Sequence, residues 1–377
     1  MRKVIALAVA GVFVSPTVFA DSGNVTIYGK IRMGVEFLNS DANTTTLNST
    51  SHTSQTKISS FKSRIGFKGE EDLGNGLKTV WQAEGGINAD DASMDTLSSS
   101  KKLNGNGLLA TRDTFVGLSD AKLGTLKLGR ITSPYDNVGS KFDGFIGSDR
   151  INGFFEQNNT DPDSSVTNGV YNFPINVKQN RKNNAIHYTS PNLNGFSGAV
   201  EYYLNENATS TSKAGKGIST RLSYSGNGLS IDWGFEQNKT GAPSVSGSAN
   251  KETANLVSIA YDVLPELTLG GQLYKQQNNA ASKVENKGYG LFANYKATPQ
   301  VTLRAFYGQF TAKKNDGIED TNDFKAKRLT LGAHYALSKR TLVFAEYLND
   351  KINRKAVSAS TGNTSARTIS IGLSHDF

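Results

Sequence analysis

A two-residue alternation of apolar and polar side chains recurs along almost the whole chain, and nothing else in the sequence constrains the fold as tightly. Near the start, Val25, Ile27, Ile31, Met33, Val35 and Phe37 share one parity, while Thr26, Lys30, Arg32 and Glu36 share the other. Leu329, Leu331, Ala333 and Tyr335 repeat the pattern against Arg328, Thr330 and His334. Val301, Leu303, Ala305 and Tyr307 do so against Thr302 and Arg304, with Phe306 breaking it. The chain ends on Ile369, Ile371, Leu373, His375 and Phe377 against Ser370, Gly372, Ser374 and Asp376. Successive side chains of a strand point to opposite faces, so each segment has one oily and one polar side. No helical periodicity competes over comparable lengths, and the fold class is all-β.

The connections alternate too. Seven short turn signals carry Gly, Asn, Asp or Pro, as in Asp72-Leu73-Gly74-Asn75-Gly76, Ser225-Gly226-Asn227-Gly228 and Thr298-Pro299-Gln300. These residues supply a positive φ or fix a negative one, which makes tight reversals. Between them lie eight polar stretches, at 38–60, 88–111, 132–181, 205–216, 239–251, 278–286, 311–325 and 350–366. Fifteen connections join sixteen strands, which begin near 25, 61, 77, 112, 124, 182, 195, 217, 228, 252, 266, 287, 300, 326, 340 and 367. Most are long enough for the roughly 9–11 residues that a tilted strand needs to cross a bilayer. The mean hydropathy of −0.41 and the lack of any 18-residue apolar run exclude transmembrane helices but not strands that alternate. The expectation is a sixteen-stranded antiparallel transmembrane β-barrel with short periplasmic turns and long extracellular loops. Alternation alone also fits a secreted sandwich or a surface adhesin; the long-short order of connections favours the cylinder.

The first residues read as a targeting segment. Met1-Arg2-Lys3 is basic, Val4 to Val14 is apolar, and Val18-Phe19-Ala20 places small residues for cleavage after Ala20. Residues 1–20 are then a signal peptide and 21–377 the barrel. Removing Arg2 and Lys3 lowers the formal net charge of +8 by two. Export argues against nucleic acid as a partner despite the basic balance. The absence of Cys removes disulfides, thiolate metal sites and thiol nucleophiles. The four His, at 52, 187, 334 and 375, have no metal-site spacing, and no phosphate loop, zinc-protease motif or nucleophile elbow is present. No enzyme, cofactor or metal is expected. Tyrosines near strand ends, among them Tyr28, Tyr202, Tyr203, Tyr295 and Tyr335, suit the interfacial girdles of a membrane barrel.

Four stretches resemble the trimeric general porins of Gram-negative outer membranes, of the neisserial and betaproteobacterial type. They are Val25-Thr26-Ile27-Tyr28-Gly29; Ser63-Arg64-Ile65-Gly66-Phe67-Lys68-Gly69-Glu70-Glu71-Asp72-Leu73-Gly74-Asn75-Gly76-Leu77-Lys78 with Trp81-Gln82; Thr114-Phe115-Val116-Gly117-Leu118 with Leu126-Lys127-Leu128-Gly129-Arg130; and Leu337-Ser338-Lys339-Arg340-Thr341 with Phe377. The resemblance spans essentially all of the mature chain. It implies passive diffusion of ions and small hydrophilic solutes through a water-filled pore, a third extracellular loop folded inward, and a homotrimer. It also implies outer-membrane lipid and lipopolysaccharide as surroundings, and Phe377 as the signal read by the barrel-assembly machinery. A substrate-specific channel of the same architecture is the runner-up.

Charge gives that pore a shape. The longest loop, 132–181, carries Asp136, Asp143, Asp149 and Glu156. Folded inward, it presents carboxylates to the lumen. Facing it, Lys30, Arg32, Arg64, Lys68 and Lys78 fall on the lumen parity of the early strands, with Arg112 and Arg130 beside them. Arg130 shares parity with Leu126 and Leu128, so it joins the wall only if it leaves the strand or a bulge re-aims it. Rings of charge set ion preference, and the basic excess leans toward anions.

Overall fold

The computed structural model describes residues 24–44, 49–87, 89–90, 110–139, 142, 144–146, 181–204, 206, 214–239, 251–278, 284–314, 324–354 and 364–377. The proposed signal peptide, and Asp143, Asp149 and Glu156 of the long loop, lie outside the described residues. The strands are β1 (Asn24–Thr44), β2 (Ser49–Ser60), β3 (Arg64–Gly74), β4 (Leu77–Gly86), β5 (Thr114–Asp120), β6 (Gly124–Thr132), β7 (Arg181–Thr189), β8 (Phe196–Leu204) and β9 (Lys216–Gly226). They continue with β10 (Leu229–Lys239), β11 (Lys251–Leu264), β12 (Leu267–Asn278), β13 (Val284–Lys296), β14 (Val301–Lys314), β15 (Phe324–Ala336), β16 (Thr341–Arg354) and β17 (Thr364–Asp376). Each pairs antiparallel with its chain neighbour, except that β2 and β3 pair in turn with the upper and lower parts of β1. They are two pieces of one stave, so the cylinder has sixteen strands.

The break between the pieces is a bulge. Met33 stands opposite Ser60 and Lys30 opposite Arg64, so Phe61, Lys62 and Ser63 face only two residues of β1. Lys62 takes a positive φ of 55°, and the Ser63 hydroxyl accepts from the Arg32 backbone N–H at 2.9 Å. The extra residue lets Phe61, at 2% exposure, and Arg64 both turn to the lumen.

Strand starts expected from the sequence lie within a few residues of those observed. The loop placed at 38–60 is the main correction: β1 runs on to Thr44 and β2 fills Ser49–Ser60. Strands likewise extend into the stretches at 278–286, 311–325 and 350–366. Ladder hydrogen bonds persist there after the apolar parity ends, and alternation is the only signal a single sequence offers for them.

Exposure is inverted relative to a soluble protein. Leu126, Leu128, Leu273, Leu291, Leu331 and Ile371 are exposed, whereas Glu36, Glu84, Glu201, Arg328, His334 and Ser370 are buried. A continuous apolar exterior of this kind needs lipid, and lipid offers no hydrogen-bond partners. The sheet must therefore close, and it closes through β1 and β17, in register from Lys30–Asp376 to Ala42–Thr364. Gly29 and Phe377 extend the seam with two reciprocal backbone bonds of 3.1 and 3.0 Å. The Phe377 ring lies over Gly29, where a Cβ would stand 2.5 Å from Phe377 Cζ and 2.6 Å from the Arg64 carbonyl oxygen. Two of the proposed girdle residues are corrected: Tyr28 and Tyr203 turn inward to Glu84 and Glu236, whereas Tyr202, Tyr295 and Tyr335 are exposed. Both inward tyrosines have the lumen parity of their strands, and buried carboxylates accept from their hydroxyls.

Gly29→Leu should weaken the seam by about 1–3 kcal/mol, the usual range for overpacking. The heat-modifiable band of the folded barrel in detergent gels should then convert at a lower temperature than in the wild type.

Candidate functional site: the lumen and its inward loop

The segment after β6 enters the lumen and follows the inner wall. A tight turn comes first, with the Asn137 N–H donating to the carbonyls of Ser133 and Pro134 and the Val138 N–H to Tyr135 at 3.1 Å. The Tyr135 N–H donates to Ser219 Oγ on β9 at 3.0 Å. Val138 fits against Gly234 of β10, where a Cβ would be 2.5 Å away. Phe142 lies over Gly270 of β12 and meets Phe292 of β13 edge-on, with centroids 4.8 Å apart. Phe145 covers Gly332 of β15. The Ile146 N–H reaches Glu346 Oε1 on β16 at 2.7 Å, beside the edge-on pair Phe61–Phe344. Thus the described part of the loop is fastened across half the circumference, its apolar side chains seated where the wall has glycine.

These contacts explain a feature of the sequence. Phe306, which breaks the alternation of β14, is a lumen residue packed on the cluster of Phe142, Phe145, Phe292 and Leu348. Leu256, Tyr274, Phe310 and Ile352 are also buried on lumen parity. Apolar residues on the polar parity of β11–β16, of which Phe306 is the one that visibly breaks the alternation, mark in the sequence where the loop lies.

The opposite wall is basic, with acids set into it. Glu84 of β4 is 6% exposed and accepts from Tyr28 at 2.9 Å. Arg64 Nε is 3.7 Å from the same carboxylate, and Arg112 bonds to its other oxygen. Arg181 Nε meets Asp113 Oδ1 at 2.6 Å, and Asp113 also accepts from Thr132 Oγ1 at 2.7 Å. Lys30 stands opposite Arg64 and 3.5 Å from Asp376, while Arg32 Nε donates to Ser374 at 3.3 Å. Among the described residues, the guanidiniums of Arg32, Arg64, Arg112 and Arg181 therefore share an arc with the carboxylates of Glu84 and Asp113, beside the Lys30–Asp376 pair. Glu84, Asp113 and the wall role of Arg181 were not foreseen; Glu84 has the same lumen parity as Lys78 and Gln82 and could have been.

The remaining expected residues separate. Lys68 lies over the Tyr28 ring at 5.2 Å. Lys78 is at the turn end of β4, paired with exposed Glu70 at 2.7 Å, and sits away from the arginines. Arg130 is within electrostatic reach of Arg112, Asp113 and Arg181. A register shift does occur between Gly129 and Ile131, but the additional residue is on β7, where Asn184 has a φ of 51°. Arg130 keeps the outward parity of Leu126 and Leu128 and binds the Thr111 carbonyl and the Asn183 side chain. Asp136 is in the first turn of the loop, its N–H bonded to Ser133 Oγ at 3.2 Å. Behind the loop, buried ions are paired: Lys182 with Glu236 at 2.5 Å, Arg328 with Asp350 at 2.6 Å and His334 with Glu346 at 2.8 Å. Among the described residues no cluster of His, Asp and Glu is arranged to hold a metal.

A closed cylinder with an oily exterior, a charged lumen and a loop folded inside it narrows the choice of family to very few. The family model described as Gram-negative porin matches residues 6–355. The chain belongs to that family. As a porin it is a non-enzymatic channel of the outer membrane. It is 28% identical to the major outer membrane protein P.IB of Neisseria meningitidis serogroup B, over all of this chain and 99% of that one. Among solved structures it is similar to the anion-selective porin from Comamonas acidovorans, with a TM-score of 0.69, 24% identity, and 94% and 100% of the two chains covered. It is also similar to the trimer form of OmpT from Vibrio cholerae, with a TM-score of 0.65, 16% identity, and 95% and 100% covered.

Gly270→Leu should push Phe142 off the wall and into the lumen, at a stability cost of about 1–3 kcal/mol. Single-channel conductance in planar bilayers should fall, and adding Phe142→Ala should recover most of it.

Proposed function

We propose that this porin passes inorganic ions and small hydrophilic solutes by passive diffusion, with a weak preference for anions. The excess of guanidiniums over carboxylates in the Arg64–Glu84 arc carries this reading. In a narrow lumen with low-dielectric walls, uncompensated charge raises the local concentration of the opposite ion. Arginine suits the role because its charge survives crowding by other cations, whereas a crowded lysine can lose its proton. The anion-selective Comamonas porin, similar in fold, supports the direction. The inward loop faces this arc from the β9–β16 side, so a solute passes between a cationic wall and the loop. Asp136, Asp143, Asp149 and Glu156 supply the facing negative charge, and the transverse field orients dipolar solutes.

The unit in the membrane is a homotrimer in this reading, as the trimer form of the Vibrio protein suggests. Residues 1–20 direct export and are removed, and Phe377 is the residue read by the assembly machinery. Its ring lies on the outer side of the seam and is 44% exposed, which leaves it accessible to such a reader.

Reversal potentials in a salt gradient test the selectivity. Arg64→Ala should move the potential toward cation preference and Glu84→Gln toward anions. If neither variant shifts it, the arc does not line the throat.

A further inference from the structure

Among the described residues, three lysines lie over aromatic rings of the inner wall, and one differs from the other two. Lys182 lies over the Tyr203 ring at 5.0 Å and is neutralised by Glu236, which is fully buried. Lys127 lies over the Phe115 ring at 4.3 Å and Lys68 over the Tyr28 ring at 5.2 Å, and among the described residues neither forms a salt bridge. Phe115 of β5 stands opposite Gln82 of β4, and Gln82 opposite Lys68 of β3. Lys68, Gln82 and Phe115 thus form one lumenal row across three strands. The row is two residues nearer the periplasmic turns than Glu84 and Asp113.

An apolar ring on the lumen parity needs a reason. On β13, β14 and β16, Phe292, Phe306 and Phe344 are packed with side chains of the inward loop. Phe115 is outside those clusters and half-buried, and among the described residues no second ring rests against it. Glycines stand opposite both members of its cation pair, Gly129 opposite Phe115 and Gly117 opposite Lys127, so no directly facing side chain of β5 or β6 covers either. The wall there offers solvent an aromatic ring, a primary amide and two ammonium groups without a carboxylate between them.

We propose that Phe115, Gln82, Lys68 and Lys127 form a lumenal subsite for aromatic carboxylates, which the channel favours over saturated anions of the same charge and similar size. The inference rests on the pore reading and names a solute class for it. One strand spacing, about 4.8 Å, separates Phe115 from Gln82. That is on the order of the reach from the centre of a benzene ring to its carboxylate. A ring resting on Phe115 therefore brings its carboxylate to the Gln82 amide, with Lys68 beyond. The solute ring also presents a π face to the Lys127 ammonium. A saturated ring keeps the attraction of its carboxylate to the lysines and loses both aromatic contacts.

The test adds benzoate or cyclohexanecarboxylate at neutral pH to the full barrel in planar bilayers and reads the concentration of each that halves the chloride current of that protein. For the wild type, benzoate should act at about three- to tenfold lower concentration, the worth of an aromatic pair. Phe115→Leu should bring the two acids together, and Phe115→Tyr should keep them apart. Lys68→Gln with Lys127→Gln should raise the benzoate concentration about two- to fivefold. Should Phe115→Leu fail to fold, Phe115→Ile carries the same expectation. Equal action of the two acids on the wild type, or a benzoate preference that survives loss of the Phe115 ring, overturns the subsite and leaves the pore reading intact. Saturation-transfer NMR of benzoate with the refolded barrel reads binding without current. A wild type that carries no current but transfers more to benzoate than Phe115→Leu does would support the subsite and overturn the pore reading.

Discussion

Hydrocarbon cannot hydrogen-bond to a peptide group, and the rest of this structure follows from that. An unpaired strand edge in lipid leaves N–H and C=O groups unsatisfied at several kcal/mol each, so β1 has to find β17. Closure fixes an inside and an outside, and two-residue alternation then assigns every side chain to one or the other. The exposed leucines and the buried glutamates are two consequences of the same seam. Inside, the usual logic of a protein core returns locally. Where the loop covers the wall between β9 and β16, apolar side chains and paired ions are buried together.

The lumen therefore has two halves of different character. One half is covered: Tyr135, Val138, Phe142 and Phe145 occupy the notches left by glycine, and ions such as Arg328 and Asp350 are neutralised behind them. Along the other half, among the described residues, cations outnumber acids. Glu84 does two things at once there. It holds Arg64 and Arg112 close together, which their mutual repulsion would oppose, and it removes part of their charge.

Much of this architecture is legible in one sequence. Parity alone puts Lys30, Arg32, Arg64 and Lys68 on the inner face, and the spacing of Gly, Asn and Pro counts the staves. What was not legible has physical reasons. The upper parts of β1 and β2 show no alternation because their residues are polar on both parities, so a strand there reads as a loop. The stave broken at Phe61–Ser63 hides its bulge, since one extra residue shifts parity without a distinctive composition. Beside Arg130 the register does shift, as its parity required for a place near the wall, but the additional residue is on the partner strand. Glu84 and Asp113 were obscured because attention to cations alone ignores the acids needed to bring them together.

The seam also dictates an order of events. The bonds that satisfy one edge of β1 are supplied by β17, so the first strand to emerge waits longest for its second lateral partner. Until the final stave has crossed into the periplasm, the chain has a sticky edge and an oily face with nowhere to put either. A cylinder of this design demands escort in transit, whatever solutes it later admits.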